Sequence, residues 1–177
     1  MAQTVTEGYS AKQIANYFLS KYMDTGITPL KLQKLVYIAH GWYLAFLDKP
    51  LVSDENAEAW QYGPVYPSLY YHFRDRGNLA IDRLAEKKSI LGRNKGFLNS
   101  RYKKTIPKIP LDHELTVSLL ERIWEVYGGN SGIYLSNLCH QPGTPWDKTR
   151  KRTNIRNAHI ANNLIKDHYK TLLKENQ

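Results

Sequence analysis

Residues 28–46 constrain the fold more than any other segment of the chain. Thr28 carries a side chain suited to cap a helix N-terminus, and Pro29 takes the first helical position, where a missing N–H costs no hydrogen bond. Apolar side chains then recur at the i, i+3, i+4, i+7 spacing of a helix: Leu32, Leu35, Val36, Ala39, Trp42, Tyr43 and Phe46. Each large one contributes about 1.5–3 kcal/mol when buried, so this segment is predicted to be the central core helix.

Shorter stripes of the same kind predict further helices at residues 10–26, 67–77, 112–128, 131–138 and 157–174. Residues 58–62 alternate polar and apolar side chains, which predicts a short extended segment. The length of 177 residues fits one domain, 1–177, with its core in about residues 10–170. The predicted fold is therefore mostly α: a single compact helical domain of five to seven helices with a small β piece.

Positive charge is concentrated in the later part of the chain. Residues 1–60 hold five Lys and six acidic residues, whereas residues 61–177 hold 20 basic and ten acidic residues. Residues 87–108 contain eight Lys or Arg, no acid and no helical period, and predict a long basic connection with an extended pair around 97–106. Such a block indicates an anionic partner, either nucleic acid or an acidic protein surface, or else a solvated loop that keeps the protein soluble.

No motif for catalysis, cofactor binding or metal binding is found. Cys139 is a single cysteine, which excludes an internal disulfide and a multi-cysteine zinc site. The six histidines lack metal-ligand spacing, and neither glycine-rich segment has the spacing of a phosphate-binding loop. We therefore expect no enzyme, no cofactor and no metal, and we interpret His40 as a core histidine bonded to backbone or tyrosine.

The sequence also predicts no membrane anchor. The longest apolar stretch, residues 35–46, is interrupted by His40 and is shorter than the ~20 residues that span a bilayer. Residues 1–9 carry no Lys or Arg and no apolar run, so no export signal is expected. The expected location is the cytoplasm.

Three segments together resemble a known family. They are ITPLKLQKLVYIA at 27–39 running into HGWY at 40–43, EAWQYGPVYP at 58–67, and LSNLCH at 135–140 followed by PW at 145–146. In this order they resemble the Panacea domain family, also described as SocA-like or GepA-like, whose members occur in bacteria, prophages and phages. The residues that form the core of these motifs are Leu32, Leu35, Tyr37, His40, Trp42, His140 and Trp146.

The resemblance implies an antitoxin that binds and neutralises a protein toxin, often encoded next to it. Large, stiff aromatic side chains around the Gly-Pro turn are typical interface anchors, and nearby lysines could steer an acidic partner. The predicted partner-binding residues are Trp60, Tyr62, Gly63, Pro64, Tyr66, Tyr70, Lys103 and Lys104. One alternative is a basic phage or regulatory protein that binds nucleic acid. A variant of the first hypothesis is an adaptor that delivers its partner to a protease.

Overall fold

The computed structural model describes residues 8–90 and 102–175. Within them the chain forms seven α-helices and two antiparallel two-stranded sheets, which confirms the mostly α prediction. The helices are α1 (Ala11–Tyr22), α2 (Pro29–Leu47), α3 (Pro67–Phe73), α4 (Glu114–Tyr127), α5 (Gly132–His140), α6 (Pro145–Arg152) and α7 (Asn162–Glu175). The strands are β1 (Glu58–Trp60), β2 (Gly63–Val65), β3 (Lys87–Ile90) and β4 (Tyr102–Thr105).

Helix α2 is the centre of the molecule. It contacts α1, α3, α4, α5, α7 and the β1–β2 hairpin, so most of its surface is buried. Its sequence is apolar on almost every face, as expected for a helix surrounded by other elements. The helices around it instead bury one apolar stripe each, and the buried apolar side chains of the described residues form one cluster. The prediction of a central core helix is confirmed.

Local signals in the sequence set the helix starts. Ser10 and Gln13 form a reciprocal capping box at α1, and the Thr28 hydroxyl accepts a hydrogen bond from the Lys31 N–H at 3.3 Å at α2. Thr144 caps α6 in the same way, accepting from the Asp147 N–H at 3.3 Å. Each cap satisfies backbone donors that the first helical turn leaves free.

Several details of the predicted elements differ from the structure. The last helix begins at Asn162 rather than near 157, because residues 158–160 run alongside β1, where the Ala59 N–H donates to the Ala158 carbonyl at 2.8 Å. Helix α6, at Pro145–Arg152, was not predicted. In the basic segment β3 pairs with β4 in the register Lys87↔Thr105. Only the β4 part of the extended pair predicted around 97–106 falls in the described residues; 97–101 lie outside them.

No helix in the described part of the chain combines the length and the apolar character needed to cross a membrane.

Candidate functional site

The β1–β2 hairpin lies where three parts of the chain meet. Its strands pair in the register Glu58↔Val65 and Trp60↔Gly63, so residues 61–62 form the turn. Strand β2 packs on α2 and α5, strand β1 packs on α6, and residues 158–160 lie along the other edge of β1. The three motifs of the sequence therefore converge on this hairpin, which makes it the candidate site.

Two buried polar side chains of α2 hold the segment 64–66. The Gln33 amide donates to the Tyr66 carbonyl at 3.0 Å and accepts from the Tyr66 N–H at 2.9 Å. The Lys34 ammonium donates to the Pro64 carbonyl at 2.9 Å. Buried backbone N–H and C=O groups need hydrogen-bond partners. For Pro64 and Tyr66 these partners are the side chains of two adjacent residues of α2 instead of a further β-strand.

Helices α5 and α6 hold the other side of the hairpin. The Ser136 hydroxyl donates to the Tyr62 carbonyl at 3.0 Å, and the Trp146 indole N–H donates to the Trp60 carbonyl at 2.7 Å. The His140 imidazole hydrogen-bonds the backbone of Gln61. Side chains from three helices thus bind the backbone on both sides of the turn, and the hairpin is fixed in one orientation.

Gly63 is required by this arrangement. Its φ is +99°, in the region that L side chains rarely adopt. A Cβ there would lie 2.7 Å from the Lys34 Nζ and 3.4 Å from the His140 Nε2. Because Gly63 has no side chain, the Lys34 ammonium has room to reach the Pro64 carbonyl.

Lys34 is an unusual core residue because its side chain has no exposed surface. Burial lowers its pKa to about 8, so the amine is still mostly protonated at neutral pH. No Asp or Glu of residues 8–90 and 102–175 forms an ion pair with it. Burial also raises the pKa of the neighbouring Cys139 to about 11, so that this thiol is not a thiolate nucleophile at neutral pH.

The outer surface beside the hairpin carries three aromatic rings in mutual contact, Trp60, Tyr70 and Tyr71, which we call the aromatic patch. The Trp60 ring centroid lies 4.7 Å from that of Tyr70 and 6.5 Å from that of Tyr71. Tyr70 and Tyr71 are 41% and 59% exposed, and Tyr62 at the turn is 68% exposed. Exposed aromatic side chains on a fixed backbone are suited to binding a partner, because little further conformational entropy is lost when the partner binds.

His40 belongs to the core and not to this surface. Its Nδ1 accepts from the Val52 N–H at 3.1 Å, so its Nε2 carries the proton and donates to the Asn162 side-chain oxygen at 3.0 Å. Burial lowers its pKa to about 4, and the ring is neutral at physiological pH. The imidazole therefore links α2 to the start of α7 and to the loop after α2.

The structure divides the predicted partner-binding residues into three groups. Trp60, Tyr62 and Tyr70 lie at the surface around the hairpin. Gly63, Pro64 and Tyr66 are buried, and the Tyr66 ring, only 1% exposed, packs edge-on against His40. Lys103 and Lys104 lie on the separate β3–β4 ribbon, where Lys104 pairs with Glu86 at 3.0 Å. Contact of these residues with a partner stays a prediction.

The motif residues have mainly structural surroundings. Leu32, Leu35, Tyr37 and His40 are buried, and Trp42 donates its indole N–H to the Tyr127 hydroxyl at 3.2 Å. His140 and Trp146 contact each other in a T-shaped pair at 4.2 Å. Of these residues, His140 and Trp146 contact the hairpin, and the others belong to the core around α2.

Sequence reasoning missed the residues that hold the hairpin, which are Gln33, Lys34 and Ser136. A signal was present in α2, because two long polar side chains interrupt a helix that is otherwise apolar on nearly every face. Side chains of this kind in a fully surrounded helix must find buried polar partners.

Among the residues that the structure describes, no three His, Cys, Asp or Glu side chains are grouped so that they could hold a metal ion.

The comparisons with known proteins agree with this convergence of motifs. The family model described as "Antitoxin SocA-like, Panacea domain" matches residues 32–147, which include α2, the hairpin, α5 and the start of α6. The chain belongs to this family of SocA-like antitoxins. It is similar to Antitoxin SocA of Caulobacter vibrioides (strain NA1000 / CB15N), with 33% identity over 169 residues that cover 93% of this chain and 84% of that protein. No solved structure matches it at a significant level.

Proposed function

We propose that this protein neutralises a toxin by binding it directly, and that the hairpin with its aromatic patch is the contact surface. The observation that carries the proposal is the set of exposed Tyr rings around the half-buried Trp60, on a backbone held by side chains of three helices. Trp and Tyr are the residues most often found at energetic centres of interfaces. A backbone that is already ordered loses little further entropy on binding.

Membership in the antitoxin family supports a toxin as the partner. Within the proposal the toxin is a protein encoded near this gene, and the complex forms in the cytoplasm. Lys103 and Lys104 on the β3–β4 ribbon increase the rate of encounter with an acidic surface. The protein acts here by occupying a surface, without catalysis.

The experiment begins with a tagged pull-down from the native cells after nuclease treatment, followed by expression of each stoichiometric partner alone. The proposal predicts one partner that inhibits growth and is suppressed by co-expression of this protein. Trp60→Ala should reduce suppression, whereas Phe46→Ala should not, because Phe46 is also an exposed aromatic residue (54%) but lies near the opposite end of α2 from Lys34.

Toxin abundance separates two modes of action. Direct neutralisation leaves the toxin concentration unchanged while growth recovers. An adaptor that delivers the toxin to a protease would lower that concentration, and the requirement for a protease would contradict neutralisation by binding alone.

Nucleic-acid binding is the second candidate function. The observation that favours it is the exposed series Lys148, Arg150, Lys151 and Arg152 on α6, of which only Lys151 pairs with a carboxylate in the described residues. Binding to DNA of unrelated sequences, with a strong dependence on salt, would support this function.

A further inference from the structure

We propose that the aromatic patch is specific for an acidic segment of a protein, in which an apolar side chain covers the rings and flanking carboxylates bind Arg74 and Arg150. This inference rests on the proposed function and deepens it, because it assigns the chemistry of the toxin surface. It concerns two arginines that the hairpin motif itself does not contain.

A continuous series of contacts connects the two arginines. The Arg74 guanidinium lies 5.5 Å from the Tyr71 ring centroid, and Tyr71 contacts Trp60. The Trp60 carbonyl accepts from the Trp146 indole, and the Arg150 guanidinium lies 5.7 Å from the Trp146 ring centroid. Arg74 therefore adjoins the exposed rings directly, whereas Arg150 is linked to them through Trp146 and the Trp60 backbone.

Neither arginine is neutralised within residues 8–90 and 102–175, because no carboxylate lies within ion-pair distance of Arg74 or Arg150. Both are exposed and have no ion pair to break before a new one forms. An arginine stacked on a ring keeps its edge N–H groups free, and that edge matches a carboxylate with two parallel hydrogen bonds.

The carboxylates next to the two arginines along the chain are paired with other cations, Asp75 with Arg83 at 2.6 Å and Asp147 with Lys151 at 2.9 Å, whereas Glu58 is hydrogen-bonded but keeps its negative charge. Glu58 accepts from the Trp60 indole N–H at 2.7 Å and lies 3.6 Å from His159. Asp147 also accepts from the Gly143 N–H at 2.9 Å. The uncompensated charge at the two arginines is positive.

The arrangement of the rings favours a protein over a nucleic acid. Bases stack on open, flat aromatic faces. Here the three rings are inclined to one another, with interplanar angles of 59°, 71° and 79°, and Arg74 covers the Tyr71 face. Rings inclined in this way are better suited to contact with a Leu, Ile or Phe side chain than to stacking with a base. Trp, Tyr and Arg together are also the composition of protein-interface hot spots.

The test uses a phage-displayed library of random 12-residue peptides, selected on the full-length protein at about 0.15 M salt. The expected selected peptides contain an apolar or aromatic residue flanked by Asp or Glu. Their affinity should fall at least about tenfold for the R74E/R150E double variant and less for R74Q/R150Q, because reversal adds repulsion to the loss of attraction.

The control is Arg122→Glu, whose single charge reversal is compared with each of the single variants R74E and R150E. Arg122 is an exposed arginine on α4, whereas the helices that pack on the hairpin are α2, α5 and α6, so this variant should bind the peptides like the wild type. Circular dichroism of every variant checks that the helices are retained. Selected peptides without acidic residues, or peptides whose binding R74E/R150E leaves unchanged, would overturn the proposal.

A labelled oligonucleotide of 20 thymidines serves as the second probe. Binding of this probe that requires Arg74 and Arg150, combined with a failure to select acidic peptides, would replace the proposal with a single-stranded nucleic-acid site. The peptide selection requires no toxin, so a pull-down without a toxic partner would defeat the proposed function and leave the chemistry of the surface measured independently.

Discussion

Replacing Gly63 by alanine tests whether the hairpin is held as the structure indicates. The new Cβ would stand 2.7 Å from the Lys34 Nζ and 3.0 Å from its Cε, at a backbone φ of +99°. The lysine would have to move, and its bond to the Pro64 carbonyl, 2.9 Å in the wild type, would be lost. Two separate costs therefore add: strain of the backbone and a broken charged hydrogen bond inside the core.

The magnitudes follow from these two parts. An L residue in a left-handed conformation costs roughly 1–2 kcal/mol. Loss of a hydrogen bond to a buried charged group costs about 1.5–3 kcal/mol. The reduced entropy of the unfolded chain returns about 0.4–1 kcal/mol for Gly→Ala. The free energy of unfolding should therefore fall by about 2–4 kcal/mol.

Urea unfolding followed by tryptophan fluorescence measures this change, with Gly26→Ala as the matched control. Gly26 also has a positive φ, +79°, but a Cβ there would meet no atom within 4 Å. Its replacement should cost only the backbone part, about 1 kcal/mol or less. Equal losses for the two variants, within about 0.5 kcal/mol, would refute the role assigned to Lys34.

A double-mutant cycle with Lys34→Met isolates the same contact. In that background no ammonium has to stay at the Pro64 carbonyl, so Gly63→Ala should cost about as much as Gly26→Ala. Lys34→Met removes the cost of burying the ammonium, about 3 kcal/mol at neutral pH given the pKa of about 8. It also leaves the Pro64 carbonyl without its hydrogen bond, which costs about 1–3 kcal/mol. Its unfolding free energy should therefore stay near that of the wild type, while binding of the partner weakens as the hairpin loosens.

Three further predictions concern other parts of the molecule. Burial lowers the pKa of His40 to about 4 in the folded protein, whereas the same imidazole has a pKa of 6.5 in the unfolded chain. Between about pH 4 and pH 6.5 the unfolded chain therefore binds a proton at His40 that the folded protein does not. Stability should be complete above about pH 6.5 and fall by up to about 3 kcal/mol towards pH 4 in urea titrations, a dependence that His40→Gln should weaken. Gly41→Ala would place a Cβ in steric overlap with the buried Tyr169 ring and should cost at least about 1–3 kcal/mol, seen as a lower melting temperature. Charge reversal at Lys103 and Lys104 should slow toxin association at low salt and flatten its salt dependence, and unchanged kinetics would contradict steering.

The predicted helices differ in how well local sequence marked them. Helix α2 was predicted almost to the residue, because its cap, its N-terminal proline and its apolar spacing agree. Helix α6 was missed although Thr144, Pro145 and Asp147 are good start signals, because its remaining residues are nearly all charged and form no apolar stripe. A helix of this composition forms only because Pro145 and Thr149 are buried by its neighbours.

The sequence predicted which segment forms the candidate site, but not which residues hold that segment in place. The motif around Gly63 located the hairpin and its aromatic residues in the right segment. Tyr66 was included with the surface tyrosines because it flanks the Gly63–Pro64 turn, and position along the chain does not show whether a side chain faces the core. The structure turns its ring inward against His40.

The helical class, the central helix and the family could be predicted from the sequence, because caps, apolar spacing and motifs depend on residues that are close along the chain. How the hairpin is held, and which cations lie near its aromatic patch, could not be predicted in this way. Lys34 and Pro64 are 30 residues apart, and Trp60 and Trp146 are 86 residues apart. Contacts over such distances arise from the packing of α2, α5 and α6, and no local pattern in the chain specifies them.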